Sequence, residues 1–262
     1  MYSKELGINF FGNESNKKTK LKKIDILKNN INNFKIFLVI AGTNTSQIPG
    51  ISAAGLNAKS RRITALADAE FLLMGASKDH KYKLPPLNAG VTPALISHVC
   101  SKLINIYPVI VPLGIGAKPY FNHLVVEDRN LGPSNCLTTG KSMTKERVLN
   151  LYEKGLAIGK SLKQPVLISE SVPGGTTTAQ AVMEAFGLRV SNLVGSSLFK
   201  APRDLRRKVV QKGLLNANLK NDFDSFDVVA AVGDPFQAFS MGLLIGARLA
   251  LSLIHISEPT RP

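Results

Sequence analysis

The sequence predicts an α/β fold with a mostly parallel, doubly wound (Rossmann-like) sheet and helices on both of its faces. Short, β-rich apolar runs that soon reach a glycine recur along the chain, as the central strands of a parallel sheet do. Helical patterns lie between several of these runs. Because such sheets bind ligands beyond the carboxyl ends of their strands, we expect the functional residues in the glycine-containing loops.

Five segments have this strand-then-glycine form. They are residues 34–41, 71–75, 107–114, 165–169 and 226–233. Helix signals are clear at Thr92 and Pro93, a predicted N-cap and first helical residue, and over 144–162, where apolar residues follow one stripe. Pro202 opens another predicted helix, which Gly213 is expected to close.

The chain has no internal repeat and no low-complexity linker, so we predict one α/β domain over residues 34–250. Residues 1–33 are rich in Asn and Lys and are expected to form a peripheral N-terminal segment, either a helix or a partly ordered arm. Residues 251–262 resemble the translation of a sequencing adapter and are predicted to be a non-native tail.

The formal net charge is +15, which fits nucleic acid, a membrane surface or a small anionic substrate. The charge concentrates at 17–23 and 203–212, away from the apolar runs, and we interpret both stretches as solvated faces. The sequence has no RNA-binding aromatic signature and no Trp. Nucleic acid is therefore not the expected partner, and a non-catalytic nucleotide- or RNA-binding module remains the alternative.

The remaining composition predicts a cytoplasmic protein without a cofactor. No apolar run approaches the roughly 20 residues of a membrane span, and no secretion signal is present at the N-terminus. Cys100 and Cys136 lack the spacing of a zinc or redox pair and are expected to be reduced, buried thiols. The histidines show no ligand-like spacing, so no metal site is predicted.

The strongest functional signal is a strand, a glycine turn and a threonine-rich helix start within residues 165–187. A helix N-terminus offers unpaired N–H groups, and glycines allow a phosphate to approach the main chain. The predicted phosphate-binding residues are Gly174, Gly175, Thr176, Thr177 and Thr178. An ordinary strand-to-helix turn is the alternative.

Two carboxylates accompany this turn. Glu170 is the last residue of the predicted strand and the candidate catalytic group, with a merely structural strand-end role as the alternative. Asp234 precedes Pro235 and is expected primarily to cap the following helix. A carboxylate at that place can also accept hydrogen bonds from ribose hydroxyls.

Two other loops are candidate substrate contacts. The loop over 42–55 is rich in small hydroxylic residues, and within it we single out Thr43, Asn44 and Thr45. Gly114 and Gly116 follow the third predicted strand segment and have the same placement. A plain surface connection is the alternative for both loops. The nearby Thr-Gly-Lys-Ser at 139–142 ends like a nucleotide-binding P-loop but lacks its first glycine, so we interpret that likeness as accidental.

Taken in order, five motifs resemble those of the nicotinate-nucleotide:dimethylbenzimidazole phosphoribosyltransferase family, in its archaeal and cyanobacterial branch. The motifs are IPGISAAG at 48–55, DAE at 68–70, TPALIS at 92–97, VPGGTTTA at 172–179 and VGDP at 232–235. The resemblance covers residues 34–250. Its bacterial branch has asparagine where this chain has Gly175, so the side-chain contact made there would be absent.

The resemblance implies an enzyme that transfers phosphoribose from nicotinate mononucleotide to a benzimidazole-type base, which yields α-ribazole phosphate for the lower ligand of cobalamin. It also implies a homodimer in the complete protein, and it leaves the accepted base open. In the family a glutamate of a glycine-flanked loop near the C-terminus takes the proton of the incoming base, and that loop is not found here. We therefore expect the domain to be truncated at its C-terminus, and this fragment to be less active or inactive.

Overall fold

The computed structural model describes residues 17–29, 33–55, 57–84, 92–196, 198, 200–219 and 222–250. The chain divides into two compact units, residues 1–34 and 35–262. Helix α1, Lys17–Asn29, belongs to the first unit. The predicted tail 251–262 lies outside the described residues, as does most of the rest of the predicted N-terminal segment.

The second unit contains a parallel sheet of β1 (Lys35–Ala41), β2 (Val109–Leu113) and β3 (Val166–Ser171), in the order β2-β1-β3. The chain passes from β1 to β2 on one side, and β3 then lies on the other side of β1. This reversal makes the carboxyl ends of β1 and β3 a topological switch point, where doubly wound sheets bind ligands.

Helices cover both faces of the sheet, as predicted. In chain order they are α2 (Ala58–Met74), α3 (Ala94–Ile104), α4 (Lys145–Ser161), α5 (Gly175–Ala185), α6 (Arg203–Ala217), α7 (Ser225–Val232) and α8 (Pro235–Ala250). Alternate residues of β1 point to opposite faces. Ile40 packs in one apolar cluster with Leu66 of α2, whereas Val39 packs in another with Leu151 of α4 and Phe239 of α8.

Two of the five predicted strands are wrong, because both segments are helical. Residues 71–74 form the last turn of α2, and residues 226–232 lie in α7. Each helix begins with a capping box, Asn57 with Ser60 for α2 and Asp224 with Asp227 for α7. Once the helix has begun, a short apolar run simply continues it, since apolar runs of this length suit buried helices as well as strands.

The helix boundaries follow the sequence signals in part. Thr144 caps α4 by accepting a hydrogen bond from the Arg147 N–H at 3.2 Å, close to the predicted start. The prediction that Gly213 ends α6 is wrong, because that helix continues to Ala217. A Cβ at position 213 would lie 2.6 Å from Leu137 Cδ1, so the glycine serves close packing.

Helices α4 and α8 pack against each other through glycines. A Cβ at Gly155 would lie 2.3 Å from the Phe239 carbonyl oxygen, and one at Gly242 would lie 2.0 Å from the Tyr152 carbonyl oxygen. The two backbones therefore approach too closely for any side chain at these positions. This contact fixes α8, and with it the helix start at Asp234, against the sheet.

Among the described residues, no helix is long and apolar enough to cross a membrane. Both cysteines are free, but Cys100 is exposed and Cys136 half-buried, so the prediction that they are buried is wrong.

Candidate active site

The loop after β1 starts the candidate site. It forms a short 3₁₀ helix over Asn44–Gln47, capped by the Thr43 hydroxyl, which accepts from the Thr45 N–H at 3.2 Å. The Thr45 side chain is fully buried, and its hydroxyl oxygen accepts from the Leu137 N–H at 3.0 Å. Thr45 thus holds the loop in place, whereas Thr43 lines a cavity described below.

The turn between β3 and α5 packs directly on this loop. Gly174 has φ +86°, a left-handed conformation that favours glycine, and a Cβ there would lie 3.0 Å from the Ser46 nitrogen. The N–H groups of Gly175, Thr177 and Thr178 donate to carbonyl oxygens within the turn. Those of Gly174 and Thr176 have no acceptor within the described residues, so they are free to bind an anion.

The three threonines at the start of α5 have different environments. Thr176 is exposed. Thr177 is 1% exposed, yet its hydroxyl has no partner among the described groups. The Thr178 hydroxyl contacts the Gly175 carbonyl oxygen at 2.9 Å and Asp234 Oδ2 at 2.5 Å. Thr178 therefore joins α5 to α8, and Thr177 retains an unused hydrogen-bonding group.

Asp234 caps α8, as predicted. Its Oδ1 accepts from the Gln237 N–H at 3.2 Å, and Gln237 Oε1 accepts from the Asp234 N–H at 3.1 Å. The side chain is buried, and burial raises the pKa of the Asp234 carboxyl, while hydrogen bonds from Thr178 and from backbone N–H groups oppose that rise. Thr178 and Asp234, which are 56 positions apart in the sequence, are thus joined by a hydrogen bond at the switch point.

Glu170 lies beside the turn that is predicted to bind phosphate. Its Oε2 is 3.5 Å from the position that a Cβ of Gly175 would occupy. The residue is exposed overall, but the groups packed around its carboxyl displace part of its water and raise the pKa of Glu170 to about 7, and the nearby charge of Asp234 adds to this rise. A Cβ at Gly175 would also lie 2.9 Å from Val172 Cβ, so the asparagine of the bacterial branch has no room here without a shift of the turn.

An ion pair fixes the loop after β2. Glu127 is buried and receives hydrogen bonds from the Gly114 N–H at 2.6 Å and from two nitrogens of Arg147 at 2.8 and 3.0 Å. The bidentate geometry holds Gly114 at the carboxyl end of β2. Gly116, two residues further, is exposed and faces open space.

A cavity of about 280 Å³ lies between these loops. Thr43, Gly114, Gly116 and Pro173 line it, together with the first turn of α2. Of the predicted site residues, Thr43, Gly114 and Gly116 line the cavity, whereas Asn44, Thr45, the threonine turn at 174–178 and Asp234 are not among its lining residues. The P-loop-like segment 139–142 is not among the lining residues of this cavity. Its Gly140 instead packs against Ala217 at the end of α6.

Asp68 is a half-buried carboxylate that the sequence analysis named only as part of the DAE motif and not as a site residue. It accepts hydrogen bonds from the Ser171 hydroxyl at 3.0 Å and the Thr92 hydroxyl at 2.9 Å. Burial raises the pKa of Asp68, and the two hydroxyls lower it. The contact with Ser171, the last residue of β3, braces α2 against the strand that carries Glu170.

Comparison with known proteins identifies the family. A family model described as "Phosphoribosyltransferase" matches residues 93–254, which include β2, β3, the threonine turn and Asp234. The chain belongs to this phosphoribosyltransferase family. The matched range leaves out β1, its loop and α2, so the cationic side of the cavity lies outside it.

The curated relatives that the chain matches are longer than this chain. A UPF0284 protein of Prochlorococcus marinus strain MIT 9215 is 88% identical over 98% of this chain and 67% of its own length. A UPF0284 protein of Gloeothece citriformis is 38% identical over 84% of this chain and 60% of its own length.

A solved nicotinate-nucleotide-dimethylbenzimidazole phosphoribosyltransferase of Thermus thermophilus has the same fold, with a TM-score of 0.54 at 17% identity. That match covers 83% of this chain and 58% of the solved one.

The cavity is lined by three basic residues that the sequence analysis missed. Lys59, Arg61 and Arg62 line the cavity from the first turn of α2. The available signal was that this turn carries no acidic residue, although acids are favoured at helix starts.

Proposed function

We propose that this chain carries the nucleotide-binding part of a pentosyltransferase that moves phosphoribose from nicotinate mononucleotide to a benzimidazole-type base, giving α-ribazole phosphate and nicotinate. The observation that carries the proposal is the buried Thr177 hydroxyl, which has no partner within the described residues and is next in sequence to Thr176, whose N–H has no acceptor there. Membership of a phosphoribosyltransferase family supports it, since every such enzyme must hold a phosphorylated ribose.

In this proposal the phosphate of the nucleotide binds at the start of α5. This 11-residue helix directs the positive end of its dipole toward the turn, and the N–H groups of Gly174 and Thr176 are available as donors. Thr177 adds a hydroxyl donor at no cost to the fold, because that hydroxyl has no partner to lose among the described residues. Three donors and a helix dipole suit a phosphate monoester.

The ribose then lies toward Glu170. A fully ionised carboxylate beside a phosphate would repel it, but a pKa of about 7 leaves Glu170 half protonated at neutral pH. The protonated form can donate to the phosphate or to a ribose hydroxyl. The ionised form can stabilise the positive charge that develops on the ribose when nicotinate leaves, or accept the proton of the incoming base.

Base-dependent release of nicotinate tests this function. This chain and its longer Prochlorococcus relative are each incubated with nicotinate mononucleotide, with and without dimethylbenzimidazole or adenine, and nicotinate is measured by chromatography. We expect the relative to release nicotinate only when a base is present, and this chain to bind the nucleotide even where it does not turn it over. Absence of base-dependent release by the relative overturns the proposal. Steeply salt-dependent RNA binding in its place would favour the nucleic-acid alternative.

A further inference from the structure

The end of β3 is held by the sheet on one side. Among the described strands β3 pairs with β1 alone, and the last pair of that ladder joins Ile40 to Ser171. A strand with one neighbour has fewer hydrogen bonds to fix its end than a central strand has. The position of Glu170, which precedes Ser171, therefore depends on contacts other than the ladder.

Asp68 supplies such a contact. Its Oδ2 accepts a hydrogen bond from the Ser171 hydroxyl at 3.0 Å, and its Oδ1 accepts one from the Thr92 hydroxyl at 2.9 Å. The Thr92 hydroxyl oxygen in turn accepts from the N–H of Ala94, the first residue of α3, at 3.2 Å. One carboxylate thus joins α2 to the start of α3 and to the end of β3.

The bond to Ser171 also bears on Glu170. The two residues are neighbours in a strand, so their side chains lie on opposite faces of the sheet. Ser171 is level with Ile40, on the face that α2 covers, and Glu170 is level with Val39, on the face that α4 and α8 cover. Because the two residues share one stretch of backbone, a contact that fixes Ser171 also fixes the direction of the Glu170 side chain.

The protonation of Glu170 is sensitive to small differences in that direction. The residue is exposed overall, yet the groups around its carboxyl displace enough water to raise the pKa of Glu170 to about 7. Asp234, at the start of α8, is the charged group that adds to the rise, and no cation pairs with Glu170 within the described residues. A small rotation of the strand end would return water to the carboxyl and lower the pKa of Glu170 toward its ordinary value of 4.5.

A carboxylate is a costly group for holding α2 against the sheet. Asp68 is half-buried and forms no ion pair in the described part of the chain, and removal from water raises its pKa. Ile40 of β1 and Leu66 of α2 join the same two elements by apolar contact, without this penalty. The carboxylate differs from them in direction, because hydrophobic contact is non-directional whereas two hydrogen bonds to an ionised group are directed and roughly twice as strong as neutral ones.

We propose that Asp68 and Ser171 are positioning residues, which hold the end of β3 so that the Glu170 carboxyl keeps its partly dehydrated place. This inference rests on the proposed function, under which Glu170 acts on the ribose and on the incoming base. In this role Asp68 acts through Ser171 and the backbone of β3 rather than on a substrate.

Nuclear magnetic resonance of isotope-labelled glutamate in the full chain measures the titration of Glu170, and Glu170→Gln identifies its signal. Ser171→Ala removes the hydrogen bond to Asp68, Ser171→Thr keeps a hydroxyl at that place, and Asp68→Asn removes the charge while keeping the shape. Ser169→Ala is the matched control, because Ser169 lies on the same face of β3 but its hydroxyl donates to the Phe37 carbonyl oxygen at 3.2 Å.

We expect Ser171→Ala and Asp68→Asn to lower the pKa of Glu170, so that its proton affinity falls roughly tenfold. Ser171→Thr and Ser169→Ala should titrate like the parent. Affinity for nicotinate mononucleotide at pH 7 should fall roughly twofold to fivefold in the first two variants only, because less of the Glu170 carboxyl is then protonated.

A Glu170 titration that stays unchanged in Ser171→Ala overturns the inference, and so does an equal change in Ser169→Ala, which would show a general loosening of β3. Thermal unfolding checks that each variant is folded. If Asp68→Asn does not fold, the contrast between Ser171→Ala and Ser171→Thr decides alone.

The titration needs no substrate, so it separates this inference from the proposed function. A lowered proton affinity in Ser171→Ala, with no base-dependent nicotinate release by the longer relative, leaves the positioning of Glu170 standing and overturns the function. Base-dependent release together with an unchanged titration overturns the inference alone.

Discussion

The Cβ position of Gly174 lies 3.0 Å from the backbone nitrogen of Ser46, so the turn after β3 packs on the loop after β1 too tightly to take a side chain without a small shift. This contact lies at the switch point between the carboxyl ends of β1 and β3. It also fixes the direction of the α5 helix start relative to the cavity, because Gly174 is the N-cap residue of α5.

Replacing Gly174 by alanine should therefore weaken both folding and nucleotide binding. The left-handed conformation alone costs an alanine about 1–2 kcal/mol, and the contact with Ser46 must additionally widen. Urea unfolding gives the stability change, and calorimetry gives the affinity for nicotinate mononucleotide.

Gly187→Ala is the matched control for Gly174→Ala. Gly187 has φ +80° but nothing within 4 Å of its Cβ position, so its substitution carries the conformational strain without the clash. Equal losses of stability and of binding in the two variants would mean that the contact with Ser46 has no role.

The neighbouring threonines Thr177 and Thr178 should respond in opposite ways to substitution by valine. Thr178→Val removes the hydrogen bond to the buried Asp234 and should lower the free energy of unfolding by about 1–3 kcal/mol. Thr177→Val removes a hydroxyl with no partner within the described residues, so stability should stay within about 0.5 kcal/mol while nucleotide affinity falls. Chemical unfolding and calorimetry of both variants check this; a Thr177→Val protein that binds normally would contradict the phosphate site.

The three strands of the sheet were predictable because each is an apolar run closed by a turn residue. The run at 226–232 looks the same in composition, and only the Asp224–Asp227 capping box makes it a helix. That box is visible in the sequence as two acids three residues apart. The apolar run itself does not distinguish the two structures, because a short buried helix and a buried strand have equally apolar sequences. The capping box is therefore the signal that indicates a helix here.

The sequence was enough to predict each loop of the candidate site separately, but not the contacts between the loops. Glu170 and the threonine turn are adjacent in sequence, so local chemistry identified them. The contact of Thr178 with Asp234, 56 residues away, and the packing of α2 against the cavity depend on tertiary structure. Arg61 shows this best, because its buried guanidinium was indistinguishable in sequence from the other basic residues of a chain with net charge +15.

The glycine contact between α4 and α8 gives a prediction for the fold rather than the site. Gly242→Ala should destabilise the protein by at least about 1–3 kcal/mol, because the new methyl group would lie 2.0 Å from the Tyr152 carbonyl oxygen and the helices must separate. Gly195→Ala, which meets nothing within 4 Å, is the control. Thermal unfolding followed by circular dichroism should show a lowered midpoint for Gly242→Ala alone.

Glu170 should couple phosphate binding to proton uptake. With a pKa of about 7 in the free protein, about half of the carboxyls are ionised at pH 7. A bound phosphate is a like charge and raises this pKa further, so binding at pH 7 should take up roughly 0.3–0.5 proton at Glu170. The contribution of Glu170 to affinity should accordingly fall as the pH rises through 7, because the free carboxylate is then increasingly ionised.

Calorimetry of nicotinate mononucleotide binding in buffers of different ionisation enthalpy measures this proton uptake. Glu170→Gln keeps the shape of the side chain and cannot titrate, so the difference between the parent and this variant isolates Glu170 from the phosphate's own ionisation. Glu153→Gln, an exposed carboxylate on α4, should leave the proton count unchanged. An identical proton count in the parent and in Glu170→Gln would show that the phosphate lies too far from Glu170 to affect it, and the placement of the phosphate at the start of α5 would be wrong.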